Sequence, residues 1–471
     1  MSELINQALL KCSKKHLFSL ALINRHLITK VCLSLFLSSA SFYAISQTET
    51  APLTLLKAIN IAQQNDDWLL KSEFIENGLN ALSDGATALP DPVVSLSILN
   101  LPTNGFAFNQ EQMTQLKVGA SQQFARGNTL ELQQQKHKIT AKEQPFLRQD
   151  RKAKVALNAE LLWLDAYYAQ SSYVLVEDTR PLFDKLEEIV SVNYASSVGN
   201  VGQQDIIRAE LELIRLQERL VALATQKNVA LRKLSLYLFS GDTPVSSGSL
   251  TTGKIVLPNQ LNEISKSDMK RLSLSSAQDD NQLYQLLLQH SLALATEQRV
   301  KALEVDTQIA KEGLKPQYAI NASYALRDNA PDGQSRADFL SVGVNMSMPL
   351  FSSAKQDANI SSSVQMTEAI KTEKRLLVRE LLAAVKSAYA EYKGMSERLS
   401  IYQTRIIPQM QRHSDATLTA YTNDNGDFAE VVRAKIAELD AQLTLLKLEV
   451  AKHKAIATIR YYLPLEIVSY E

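Results

Sequence analysis

The chain is written twice. Pro181, Tyr194 and Gly199 return as Pro408, Tyr421 and Gly426 at one constant offset (408 − 181 = 227). Leu116-Lys-Val-Gly119 returns as Leu340-Ser-Val-Gly343, Pro92 as Pro316, and Arg208-Ala209 as Arg433-Ala434, all at nearly the same distance. A unit repeated in order predicts two equivalent halves, residues 47–275 and 276–471. Such halves build pseudo-symmetric walls rather than an isolated pocket.

Chain breakers are scarce. Only 15 Gly and 13 Pro occur in 471 residues, so long uninterrupted elements are expected. The first half reads as a helix over 53–88, strands over 92–99 and 115–124, and a polar turn between them. A helix over 128–191 follows, interrupted in principle only by Pro145 and Pro181. At 1.5 Å per residue it would reach ~95 Å, far beyond an ordinary globular helix. A break over 193–202, a returning helix over 203–237 and a loop-rich insert over 240–266 complete the half. The second half reads as a helix over 281–312, strands over 316–326 and 337–350, a long helix over 361–419, a break over 423–427, and a helix over 428–462.

That last helix carries Val432, Ile436, Leu439, Leu443, Leu446 and Val450 at heptad spacing. Ile207, Leu211, Ile214 and Val221 fall in the same register of its counterpart, interrupted by Glu218, Thr225 and Asn228. Both stripes are expected to form helical-hairpin cores.

The strands alternate. Leu340, Val342, Val344, Met346 and Met348 are separated by Ser341, Gly343, Asn345 and Ser347. Their lengths approach the ~9–11 residues that cross an outer membrane. A lone hairpin leaves open edges, which lipid does not tolerate, so neighbouring copies would have to close the sheet. A soluble sheet packed on helices would show the same alternation.

The N-terminus reads as an export signal over residues 1–46. Lys11, Lys14, Lys15, Arg25 and Lys30 precede the apolar run 31–44, and Ala44-Ile-Ser46 offers small residues for cleavage. Cys12 and Cys32 would leave with it, so no disulfide or thiol site is expected in the mature chain. Lys+Arg and Asp+Glu are both 50, which gives no polybasic footprint for nucleic acid.

Catalytic patterns are missing. No HExxH, nucleophile elbow or CxxC occurs. Gly248-Ser-Leu-Thr-Thr-Gly253-Lys254 has the spacing of a phosphate loop, but Ile255 stands where a Mg²⁺-binding hydroxyl is required. His137, His290, His413 and His453 are scattered and are expected to be solvated surface residues; Met346 and Met348 are expected to face lipid or a core. No catalytic, cofactor or metal site is predicted, and the chain is not expected to be an enzyme.

Taken together, the order of parts resembles the TolC-type outer-membrane efflux family. The residues that carry the resemblance are Tyr194-Ala-Ser-Ser-Val-Gly199 with Asp205-Ile-Ile-Arg-Ala209, and Tyr421-Thr-Asn-Asp-Asn-Gly426 with Glu430-Val-Val-Arg-Ala434. Val118-Gly-Ala-Ser-Gln-Gln-Phe124 and Val342-Gly-Val-Asn-Met-Ser-Met-Pro-Leu-Phe351 support it. The run ending Met348-Pro-Leu-Phe351, with the Gly-Asp loop after Phe239, looks most like the heavy-metal (cobalt-zinc-cadmium or copper) efflux branch.

The resemblance implies a mainly α fold with a small β membrane part. Duplicated long helical hairpins would form a trimeric α-barrel tunnel, capped by a shared barrel of about twelve strands, four per protomer. It implies a homotrimer in the outer membrane of a Gram-negative cell, reaching into the periplasm. There it would meet a periplasmic adaptor and an inner-membrane pump of the resistance-nodulation-division type, and passively conduct heavy-metal cations. By the same match Val198, Gly199, Gly202, Asn425 and Gly426 become periplasmic tips that meet the adaptor, with Gly supplying the positive φ that reversals often need. Asp205, Asp427 and Glu430 would ring the entrance as a gate; simple helix N-terminal acids would look the same. Multidrug efflux or type I protein secretion stays open as the cargo, and a periplasmic coiled-coil structural protein is the competing reading from another class.

Overall fold

The computed structural model describes residues 53–195, 202–239, 257–258, 260–261, 263–276, 280–351, 353–423 and 426–464. The expected export signal, the phosphate-loop look-alike at 248–254, and Val198, Gly199 and Asn425 lie outside them. The fold is mainly helical with one small antiparallel sheet.

Two short helices open the described chain, α1 (Leu55–Gln64) and α2 (Asp67–Gly85). The single helix expected over 53–88 is therefore broken. Asp66 accepts from the Trp68 N–H at 3.3 Å and starts a new helix, and Arg151 grips the same carboxylate at 2.7 and 3.1 Å. A capping side chain with a tertiary partner outweighs helical continuity.

Strands β1 (Val93–Leu99) and β2 (Gln115–Gln123) form the first hairpin. The long helix that follows is also in two pieces, α3 (Thr129–Ala141) and α4 (Glu143–Ala195). Pro145 sits in the first turn of α4, where its missing N–H costs nothing, and Pro181 is carried inside the helix. After α4 come α5 (Gln203–Leu238), α6 (Lys266–Ser275), α7 (Asp280–Leu287) and α8 (Ser291–Glu312). Strands β3 (Gln317–Leu326) and β4 (Phe339–Ser347) form the second hairpin. Helix α9 (Ser353–Ile401) then passes through a π-turn at Tyr402–Ile406 into α10 (Ile407–Thr422), and α11 (Phe428–Tyr462) returns. Pro408 stands just beyond the π-turn. A wider turn is one way for a helix to accommodate a residue that lacks an N–H.

The hairpins join into one sheet of order β1-β2-β3-β4, so β1 and β4 are its two edges. Register puts Leu96 opposite Val118, Val118 opposite Tyr324, and Tyr324 opposite Leu340. The next rank carries Val94, Ala120, Ala322 and Val342. One face is thus apolar in every strand, and it is open: Leu96, Tyr324, Leu340, Val342 and Val344 are all exposed. The opposite face holds Ser95, Gly119, Ser323 and Ser341 in one rank.

Helix packing follows the same order. Helix α2 packs on α3, α3 on α8, and α8 on α9; further along, α5 packs on α4, α4 on α11, and α11 on α10. One side of the protomer is therefore bounded by β1, α2 and α5, the other by β4, α9 and α10. Three apolar clusters stitch the interior. One lies between the hairpin ends (Phe183, Leu186, Phe428, Val432), one around Trp163 and Leu234, and one around Leu283, Val378 and Ile459. Each such large side chain contributes about 1.5–3 kcal/mol on burial.

The two heptad stripes fare differently. On α11, Val432, Leu439, Leu443 and Val450 are buried as expected. On α5, Ile207, Leu211, Ile214 and Val221 are 57, 43, 65 and 58% exposed, which corrects the expected hairpin core. Helix α5 carries a second heptad stripe one residue out of phase, with Ala209, Leu216, Leu220 and Leu223 buried and Ile206 and Leu213 packed against them. That stripe has no polar interruption, and it takes the intramolecular seam.

Candidate tip and gate site

The two hairpin ends converge. Tyr421 of α10 meets Phe428 of α11 edge-on, with ring centroids 5.7 Å apart. Asn193 of α4 donates to the Tyr421 hydroxyl at 3.5 Å, linking the first hairpin to the second. Phe183, Val190 and Ala209 from the first hairpin pack in one cluster with Phe428, Val431 and Val432 from the second.

The glycines act otherwise than expected. Gly202 is the N-cap of α5 with extended backbone (φ −98°, ψ 159°), so positive φ is not its role. Gly426 is required by proximity: a Cβ there would stand 2.6 Å from the Tyr421 nitrogen and 3.0 Å from the Ala420 carbonyl carbon. Backbone on backbone cannot yield cheaply.

The three acids split into different situations. The carboxylate of Asp205 accepts from the Gly202 N–H at 3.0 Å and lies 3.9 Å from Arg208, and the residue is only 7% exposed. Its charge satisfies the start of α5. Asp427 caps α11 by accepting from the Ala429 N–H at 3.1 Å. Glu430, one turn along, is held by Arg433 at 2.9 Å and lies 3.7 Å from His413 of α10, yet its side chain remains 43% exposed. All three sit at helix N-termini, where the dipole favours negative charge; Glu430 combines that position with access to solvent.

Sequence reasoning missed a second polar assembly, at the far end of α11. Arg460 donates to Glu160 at 2.7 Å and to Asp268 at 2.8 and 3.1 Å. Arg271 donates to Asp268 at 3.1 Å and to the Leu463 carbonyl at 2.9 Å. Burial pushes the Glu160 carboxyl above its usual range despite Arg460. Burial also pushes Asp268 up, but the bonds and charge of Arg460, with Ser265 and Arg271, outweigh it and hold that carboxyl below its usual range. His290 belongs to this region and corrects the expectation of a solvated histidine: it is 2% exposed. Ser265, Asp268 and Arg271 carry a local signal, a capping serine and an i,i+3 pair, but nothing local marks Glu160 and Arg460, which meet across 300 positions.

Among the described residues, no group of three His, Cys, Asp or Glu could hold a metal ion, and no helix is long and apolar enough to cross a membrane.

No well-characterised relative matches the chain by sequence. Its fold is similar to that of the channel CusC, whose structures concern folding and transmembrane channel formation, with 15% identity over 88% of this chain and 92% of that one (TM-score 0.69). It is similar to the outer-membrane channel OprN, with 16% identity over 87% and 89% (TM-score 0.70). It is also similar to the Campylobacter jejuni outer membrane channel CmeC, with 11% identity over 87% and 85% (TM-score 0.67). These neighbours are channels rather than enzymes. Residues 283–463, a segment within the second half of the chain, match the family described as outer membrane efflux protein, and the fold of solved outer-membrane channels extends over nearly the whole described length.

Proposed function

We propose that three copies of this chain form the outer-membrane duct of a tripartite efflux system. The observation that carries the reading is the four-stranded sheet. Its apolar face is exposed in every strand, the middle of its other face is small and polar (Ser95, Gly119, Ser323 and Ser341), and both of its edges are open. Such a sheet suits lipid outside and water inside once copies close it edge to edge into about twelve strands.

The helical layers support the same closure. Exposed Leu70 and Phe74 on α2 and the exposed stripe of α5 lie along the β1 side; exposed Val364, Met366 and Leu376 of α9 lie along the β4 side. Head-to-tail contact of these two sides is heterologous, and closes a ring when the rotation is right. The halves 47–275 and 276–471 are read as a duplication that makes the ring pseudo-sixfold, with residues 1–46 an export signal.

In this reading the duct runs from the outer membrane of a Gram-negative cell into the periplasm. Val198, Gly199, Gly202, Asn425 and Gly426 meet a periplasmic adaptor that couples the duct to an inner-membrane resistance-nodulation-division pump. Glu430 is the first candidate for an entrance ring of negative charge, with Asp427 and Asp205 behind it. Heavy-metal cations are the proposed cargo, on the strength of the Met348-Pro-Leu-Phe351 run and a cation-attracting mouth.

A deletion strain tests the cargo: new sensitivity to heavy metals is expected, and sensitivity to drugs alone assigns the duct to multidrug efflux. Recovery of the chain as a heat-modifiable trimer in outer-membrane detergent fractions tests the duct itself; recovery as a water-soluble monomer overturns it.

A further inference from the structure

Where α11 ends, a histidine is built into the start of another helix. His290 is the N-cap of α8, and its Nδ1 accepts from the Leu292 N–H at 3.2 Å. An imidazole can accept there only while that nitrogen carries no proton. Its ring packs edge-on to the Tyr461 ring with centroids 5.6 Å apart. The Tyr461 hydroxyl in turn donates to Asp150 of α4 at 3.0 Å. One residue thus joins the first turn of α8, the last turn of α11 and, through Tyr461, the middle of the first half. Helix α8 runs on to β3, with only 313–316 between them.

The site borders a cleft of about 920 Å³. The charged and titratable groups that line it are Arg148, Asp150, Lys152, Glu160, Arg271, Arg460 and Tyr461; of these Asp150 and Tyr461 act on the imidazole. From α4, Arg151 and Lys154 act on Asp150 rather than on the imidazole.

We propose that His290 is a proton-operated latch, which holds the start of α8 against the end of α11 while Nδ1 is bare and releases it when Nδ1 is protonated. Protonation turns the acceptor into a donor facing the Leu292 N–H, and puts a cation at the positive end of a helix, where the dipole disfavours it.

The direction of the pH response follows. Burial holds His290 below the ordinary histidine range, and Asp150 and the Tyr461 carbonyl only partly oppose it. A depressed folded-state value means that the latch contributes fully above the ordinary value of ~6.5, and is lost as pH falls through the lowered one. Asp150 has the opposite sign, because burial raises it. Acid that reaches Asp150 also discharges the anion that acts on the imidazolium.

Hydrogen exchange on the full-length trimer in detergent tests this, with amide protection compared at about pH 7.5 and about pH 5 after correction for intrinsic rates. The expected result at Leu292 and Leu294 is a loss of protection that approaches ~tenfold per pH unit as pH falls from ~6.5 toward the lowered His290 value and levels off beneath it. No such loss is expected at Ala429, whose helix is capped by an aspartate. His290→Asn retains a capping oxygen that does not titrate in this range, so its α8 protection should not change between the two conditions. Protection at Leu292 that is flat in the native chain, or an unchanged response in H290N, overturns the latch. A response confined to α8 in the native chain supports it even if the variant does not fold.

Discussion

Arg460 reaches across 300 positions of sequence to bond the buried carboxylate of Glu160 at 2.7 Å, while its other nitrogens hold Asp268. This guanidinium is where the last helix, the first half of the chain and the short helix α6 are tied together. Glu160 and Asp268 are 5 and 4% exposed, so they have little water to fall back on. Arg460→Met would leave two buried carboxylates short of their main counter-charge. Breaking a buried pair from one side costs about 3–5 kcal/mol, and partial exposure of Arg460 and the remaining bond from Arg271 place this variant near the low end. A lower midpoint in denaturant, with the fold otherwise retained, is the expected outcome. Glu160→Gln removes only one of the anions and should cost less.

Gly426 gives a sharper local test. The Cβ of Gly426→Ala would press on the backbone of Ala420 and Tyr421, which is built into the Phe428 cluster and cannot swing aside. Overpacking of this kind costs roughly 1–3 kcal/mol, and the strain falls on the tip. Faster limited proteolysis between α10 and α11 is expected. Gly343→Ala is the control: nothing lies within 4 Å of its Cβ position, and it should leave cleavage unchanged.

The strands were the most legible part of the sequence. Two-residue alternation survives into three dimensions because the apolar face of the sheet is open within the protomer, so no packed layer competes with the pattern. The final helix was equally plain, since its heptad residues meet partners on the same chain. Ile207, Leu211 and Ile214 misled for a related reason: a heptad stripe reports that a helix has a seam, not which body fills it, and α5 has two. Asp66 and His290 were illegible because each starts a helix through a cap, and Arg151 or Tyr461 makes that cap worthwhile from far along the chain. At the tip, the sequence located Asp205 and Glu430, while only geometry separated the bonded carboxylate from the accessible one.

The sheet predicts an asymmetry between its faces. Val342 and Val344 are 72 and 67% exposed on the apolar side, and Ser341 alternates with them on the other. An arginine facing lipid at mid-depth costs about 2–4 kcal/mol, whereas a lumen position tolerates it. Val342→Arg should therefore sharply reduce trimer in the outer-membrane fraction, and Ser341→Arg should leave assembly near normal while altering ion selectivity. Equal effects from the two would mean that the sheet does not separate lipid from water.

The tip acids predict a division of labour that single-channel recording in a planar bilayer can resolve. Asp205 is 7% exposed and bonded to the Gly202 N–H, so Asp205→Asn keeps an oxygen for that bond and removes a charge that Arg208 already partly balances. Little change in conductance is expected from it. Glu430 presents an accessible carboxylate, and three copies around one axis would place three such charges at the mouth, where they repel one another yet collect cations. A cation held there obstructs the path, so Glu430→Gln should raise conductance and weaken block by added divalent ions. Arg433 then loses its ion pair but keeps its bond to the Ala429 carbonyl, and an exposed pair contributes only about 0–1 kcal/mol, so folding should be spared. If conductance rises with Asp205→Asn and not with Glu430→Gln, the ring is formed by the buried acid after the protomers rearrange. If neither variant changes it, the entrance is not gated by charge at these residues.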